Sequence, residues 1–141
     1  MPFIKKTRKI PLKVEDLMTT PPITIDRETP IEQAAKTMYE NNIGSLIVVD
    51  PTGKIEGIVT ERDILYAVAE QKIGKQLPVY MIMTENPITV KPGTPITEAI
   101  KTMRDANIRH LPVVDRENKP IGMLSLRDII DAITSLLTIT I

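Results

Sequence analysis

With 141 residues, 42% hydrophobic and 26% charged, and 18 Lys+Arg balancing 18 Asp+Glu, the chain has room for one domain or two small units sharing a core. The absence of Cys excludes disulfides and thiolate metal sites and points to a reducing compartment, and a single histidine, His110, excludes a multi-His metal site. Zero net charge, only Phe3, Tyr39, Tyr66 and Tyr80 as aromatic rings, no apolar run near the ~20 residues of a membrane span and no signal core after Met1 lead to one expectation: a cytoplasmic protein with neither membrane nor nucleic-acid partners.

Residues 1–11 read as a basic arm, since Lys5, Lys6, Arg8 and Lys9, followed by Lys13, meet no acid. Such an arm is expected to be solvated or to pack on a partner. The stretch Ile23-Thr24-Ile25 is β-branched and predicts a short strand. Thr29-Pro30 predicts an N-cap threonine before a proline at the first helical position. Ile31, Ala34, Ala35 and Met38 then recur at helical spacing, giving an amphipathic helix of about three turns. Leu46-Ile47-Val48-Val49 predicts a buried strand, Pro51-Thr52-Gly53 a turn, and Gly57-Ile58-Val59 a third strand running into a helix that begins at Thr60.

The same order then returns. Shifted by 65 residues, positions 18–65 fall on 83–130 with 23 identities in 48 positions and no gap. The chain is therefore an internal duplication, β-α-β-β-α twice. Repeat two supplies Ile88-Thr89-Val90, Thr94-Pro95, then Ile96, Ala99, Ile100 and Met103, then Leu111-Pro112-Val113-Val114, a turn at Glu117-Asn118, and Gly122-Met123-Leu124 before Ser125. The expected organisation is an arm at 1–11, repeats at 12–70 and 80–135, a linker at 71–79 and a tail at 136–141. Strands this continuously apolar call for helical cover, hence an α/β (α+β) class with the two repeats packed about a pseudo-twofold axis.

Thr60-x-x-Asp63 and Ser125-x-x-Asp128 have the spacing of a helix capping box, which alone accounts for them. Arg62 and Arg127 fall in the first helical turn, where the macrodipole disfavours a cation unless an anion lies near. Arg109-His110 breaks the repeat, standing where repeat one has Gly44-Ser45; unaided, it reads as a surface arginine beside a satisfied histidine.

The duplication resembles the cystathionine-beta-synthase-type (CBS) domain in its tandem arrangement, the Bateman module. The resemblance rests on Met18-Thr19 and Met83-Thr84, on Leu111-Pro112-Val113-Val114-Asp115, and above all on Gly57-Ile58-Val59-Thr60-Glu61-Arg62-Asp63 and Gly122-Met123-Leu124-Ser125-Leu126-Arg127-Asp128. It spans about residues 12–135. It implies a stand-alone regulatory protein that binds an adenosine nucleotide, AMP favoured, in clefts between the repeats, needs no cofactor and acts on an effector elsewhere. A ligand-free scaffold and an S-adenosylmethionine sensor are the alternatives; an enzyme is disfavoured, since no nucleophile–base set or metal signature appears.

The resemblance also implies which residues meet the ligand. One cleft would combine Ser125, Met123, Arg127 and Asp128 with Met18, Ile23 and Ile43-Gly44-Ser45, and with Arg109 reaching the phosphate. The other would combine Thr60, Ile58, Arg62 and Asp63 with Met83, Ile88 and Ile108-Arg109-His110. The aspartates would take the ribose hydroxyls, and the first cleft would be the better site, because small Gly44-Ser45 lets backbone approach while Arg109 supplies charge. Helices presenting Ile64, Leu65 and Val68, or Ile129, Ile130 and Ile133, would form a homodimer.

Overall fold

The computed structural model describes residues 12–139, so the basic arm lies outside the described residues. The elements in chain order are α1 (Val14–Leu17), β1 (Thr24–Asp26), α2 (Ile31–Asn41), β2 (Ser45–Val49), β3 (Ile55–Thr60), α3 (Glu61–Ala69), a 3-10 turn at Val79–Met81, β4 (Thr84–Glu85), α4 (Ile96–Ala106), β5 (His110–Val114), β6 (Pro120–Ser125) and α5 (Leu126–Ile139). Helices α2 and α4 bury Ile31, Ala34 and Met38 and, in the matching turn positions, Ile96, Ala99 and Met103. Both stop at an asparagine in the left-handed region, Asn42 (φ 52°) and Asn107 (φ 54°), which satisfies the last carbonyls and turns the chain back into a strand. Each hairpin turn is held by an aspartate: Asp50 accepts from the Thr52 and Lys54 N–H groups, Asp115 from those of Glu117 and Lys119. α5 continues past residue 135, so part of the expected tail is helix.

Neither repeat completes its own sheet. In repeat one, β1 pairs parallel with β2, β2 pairs antiparallel with β3, and the outer edge of β3 is taken by β4, which belongs to repeat two: Ile58 faces Thr84 and Gly57 faces Glu85. Reciprocally, Thr19 of repeat one pairs with Met123 on β6, through N–H···O=C bonds of 2.9 and 3.0 Å. The cores are exchanged in the same way. Val79, Ile82 and Met83 finish the core of repeat one, whereas Val14, with Leu12, Leu17 and Met18 around it, finishes that of repeat two.

Three sequence expectations change on this frame. Thr29 and Thr94 do not cap α2 and α4; the cap positions are Pro30 and Pro95, with no side-chain bond. The free N–H groups of Ile31 and Ile96 instead donate to the carbonyls of Leu77 and Leu12 (2.8 and 2.9 Å), while the Thr29 and Thr94 carbonyls accept from Val79 and Val14 (both 2.8 Å). Ile88-Thr89-Val90 is not a strand but a single parallel bridge from Val90 to Val113. The cause is Pro112: its counterpart Ile47 donates an N–H to Ile23, and a proline has none to give to Ile88. Finally, Ile64 packs against the first core and Ile129, 3% exposed, lies inside the second, so neither belongs to an outward stripe.

The linker is tied down as well. The Glu32 carboxylate near the start of α2 accepts the Gly74 N–H at 2.8 Å, and its own backbone together with the linker amides at 74–76 holds its pKa below the usual carboxylate range.

The exchanged segments cross each sheet at a glycine. A Cβ on Gly57 would meet the Met83 sulfur at 2.7 Å and the Thr84 carbonyl at 3.0 Å; on Gly122 it would meet the Met18 sulfur at 2.6 Å and the Thr19 carbonyl at 3.1 Å. The methionine can shift, but the carbonyl is held in the ladder. Gly57→Ala and Gly122→Ala are each expected to cost about 1–3 kcal/mol as overpacking, read from urea unfolding midpoints.

Candidate functional site

The two strand-to-helix junctions are built alike. Asp63 Oδ2 accepts the Thr60 N–H (2.8 Å) and hydroxyl (3.2 Å), and the Asp63 N–H returns to the Thr60 hydroxyl at 3.4 Å. Asp128 Oδ2 accepts the Ser125 N–H at 2.8 Å, and the Asp128 N–H donates to the Ser125 hydroxyl at 3.1 Å. The capping boxes are thus real at both helices. They differ in what the carboxylate meets beyond its cap. Burial pushes the Asp63 carboxyl above its ordinary pKa. Asp128 Oδ1 lies 3.5 Å from the Thr19 hydroxyl, at the long end of a hydrogen bond to the exchanged segment.

A cleft of about 1060 Å³ opens at the head of α5 and is walled by both repeats. Of the expected residues, Ile23, Ile43, Gly44 and Ser45 line it from repeat one, and Met123, Ser125, Arg127, Asp128 and Arg109 from repeat two. Met18 does not line it; its side chain packs on Gly122 against the second core, and Thr19 takes the place at the wall. Of the set grouped around Asp63, only Arg109 and His110 line this cleft. The rest lie elsewhere: Ile58 is buried, Met83 is in the first core, Ile108 packs against the second, Ile88 is exposed, and Thr60 and Arg62 stay at the head of α3.

His110 is the clearest departure. Expected opposite Asp63, it lines the Asp128 cleft, because the β5–β6 register sets it directly across from Ser125. Its ring reaches over Gly44, where a Cβ would meet His110 Nε2 at 3.0 Å and would collide with the Glu61 carboxylate. The smallness of Gly44 therefore accommodates protein side chains. Burial depresses the His110 pKa below 6.5; the Glu61 and Asp128 carboxylates pull it upward, and Arg109 adds to the depression. Glu61, Tyr39 and Asp131 line the cleft without having been singled out in the sequence. For Glu61 a signal existed, since it too breaks the repeat, with Leu126 at the matching position. Among the described residues no cluster of His, Cys, Asp or Glu could hold a metal, and no helix is long and apolar enough to cross a membrane.

The CBS domain family model matches residues 14–70 and 79–135. A CBS domain-containing protein of Dictyostelium discoideum is 34% identical over 134 residues, which cover 88% of this chain and 92% of that protein. A crystal structure of a CBS domain pair in complex with 5′-methylthioadenosine and S-adenosyl-L-methionine superposes with a TM-score of 0.83 at 33% identity, covering 89% of this chain and 98% of that one. A CBS domain protein from Pyrobaculum aerophilum complexed with AMP gives a TM-score of 0.77 at 32% identity, over 83% of this chain and 89% of that one.

The hydroxyls at the two junctions contribute to folding whatever else they do. Thr60→Ala and Ser125→Ala are each expected to lower unfolding free energy by about 1 kcal/mol, the usual worth of an N-cap, in denaturant titrations of the free protein.

Proposed function

This chain belongs to the CBS domain family, and on that premise we propose that it is a regulatory module that binds an adenosine ligand of the AMP type in the Asp128 cleft without chemical turnover. The observation that carries the reading is the Asp128 carboxylate itself. Its Oδ2 is held by the cap, which leaves Oδ1 beside Thr19 at the head of a helix, facing a cleft that both repeats build. A fixed carboxylate suits paired ribose hydroxyls, and the α5 N-terminus with Ser125 suits a phosphate. Ile23, Ile43 and Met123 offer aliphatic faces to adenine, with Arg109 and Arg127 as cations for the phosphate. The AMP complex of the Pyrobaculum aerophilum protein, 32% identical, supports the ligand class.

In this reading the second site, around Asp63 with Thr60, Arg62, Ile58, Met83, Ile88 and Ile108, is the weaker one. It has no counterpart of Arg109, whose matching residue is Gly44. A charge-assisted hydrogen bond to phosphate is worth roughly 1.5–3 kcal/mol, on the order of ten- to a hundredfold in affinity. Titration calorimetry with AMP is expected to show Asp128→Ala abolishing the tighter binding and Asp63→Ala retaining it; the opposite pattern reverses the assignment. Parallel titrations with ATP, 5′-methylthioadenosine and S-adenosylmethionine identify the ligand, and silence with all four favours a ligand-free scaffold. ATP incubated with Mg²⁺ and the protein should be recovered unchanged.

The module is further proposed to work as a homodimer in the cytoplasm, on an effector protein. Leu65, Val68, Ile130 and Ile133 stand 47–69% exposed on α3 and α5, apolar surface that a second copy of the chain would cover. Light scattering at micromolar concentration should give a dimer mass, and Leu65→Lys with Ile130→Lys should reduce it to the monomer.

A further inference from the structure

Two residues of the cleft wall, Glu61 and His110, have no part in the proposed reading of the Asp128 site. The space that a side chain on Gly44 would occupy holds the Glu61 carboxylate, from α3 of repeat one, and the His110 ring, from β5 of repeat two. The half-buried imidazole is thereby set between two carboxylates, Glu61 and Asp128, with Arg109 as its cationic neighbour; Arg127 and Asp131 of α5 are the remaining charged groups of the same wall. Both members of the pair break the repeat. Where repeat one has Glu61, repeat two has Leu126, and where repeat two has His110, repeat one has Ser45. The duplication thus carries this carboxylate and imidazole on one side of its pseudo-twofold axis and an apolar and a hydroxyl residue on the other.

We propose that His110 is the charge-selecting residue of the Asp128 cleft: it takes up a proton when an anionic adenosine ligand enters, and so favours phosphate-bearing over uncharged adenosines as the pH falls. The inference rests on the reading of this cleft as an adenosine site and adds its regulation. In the free protein, burial and Arg109 outweigh the two carboxylates, and the imidazole is neutral near pH 7. A phosphate brings further negative charge beside a ring already drawn partly out of solvent, where that charge acts more strongly than it would in water. The proton comes from solvent and adds to the unprotonated ring nitrogen; no covalent bond is made to the ligand. By linkage, whatever raises the histidine's affinity for a proton raises the protonated protein's affinity for that ligand by the same factor. An uncharged adenosine enters without this coupling.

His110 is the sole histidine, so its imidazole resonances need no assignment. Its midpoint is to be measured by NMR in the free protein, with saturating AMP and with 5′-methylthioadenosine, and AMP affinity is to be measured at pH 5.5 and 7.5. The free midpoint should lie below 6.5 and fall further in Glu61→Gln. AMP should raise it by about one unit or more, equivalent to about a tenfold gain in affinity on acidification. Because the phosphate itself titrates near pH 6, that gain is read against His110→Ser, which installs the residue repeat one carries there. If His110→Ser fails to fold, the NMR titrations of the native chain and of Glu61→Gln decide. AMP binding with an unmoved midpoint overturns this inference and leaves the adenosine reading standing, as does an equal rise with 5′-methylthioadenosine. No AMP binding at either pH overturns both.

Discussion

Each repeat gives its first residues to the other, and the cleft exists because of that trade. A sheet edge such as that of β3 or β6 carries unpaired backbone groups that must find partners. Here Thr84 and Thr19 supply them, and the same short segments bring Val79 and Val14 into the opposite cores. They also bring the carbonyls of Leu77 and Leu12 to the bare N–H groups at the heads of α2 and α4. Edge pairing, core closure and helix capping are thus done by one stretch of chain on each side. The continuation of that stretch places the Thr19 hydroxyl beside Asp128, so the site and the glue between repeats are the same structure.

Local signals in the sequence accounted for the longer helices and the buried strands, whereas the short segments exchanged between repeats and their long-range partners did not follow from them. The helical spacing of Ile31, Ala34 and Met38 and the buried runs 46–49 and 111–114 appear where the pattern places them. Thr29 misled because a threonine before proline is a good cap in isolation, and nothing local tells that the distant Leu77 carbonyl will serve the Ile31 N–H instead. Pro112 was legible in principle: a proline in a central strand removes one N–H, and that N–H was the rung the neighbouring segment required. The duplication and the resemblance it carries led to the family, and most of the residues expected around Asp128 do converge on one cleft. His110 was expected opposite Asp63 because it follows Arg109 in the motif, whereas strand pairing sets it across from Ser125, beside Asp128.

The departures from the repeat matter more than its identities. Matching positions build the common frame, the junctions capped by Thr60 with Asp63 and Ser125 with Asp128 and the glycines that admit the crossing segments. The differences give each half its own character. Glu61 and His110 meet over Gly44, and Glu32 clasps the linker where repeat two has Thr97. A symmetric scaffold thereby carries charged groups on one side that its other half lacks.

The exchange also dictates an order of events during synthesis. A chain emerges N-terminal end first and folds as its parts become available. Repeat one is closed by a segment that follows it at once, Val79 to Glu85, so it is complete when little more than half the chain exists. Residues 12–20 must wait: the Thr20 hydroxyl donates to the Ile121 carbonyl, a contact 101 residues away. Contacts of such separation form slowly. Through that interval residues 12–20 lack their partner, and a finished β6 on a neighbouring chain offers the same edge, against which each chain's own β6 holds only the advantage of effective concentration.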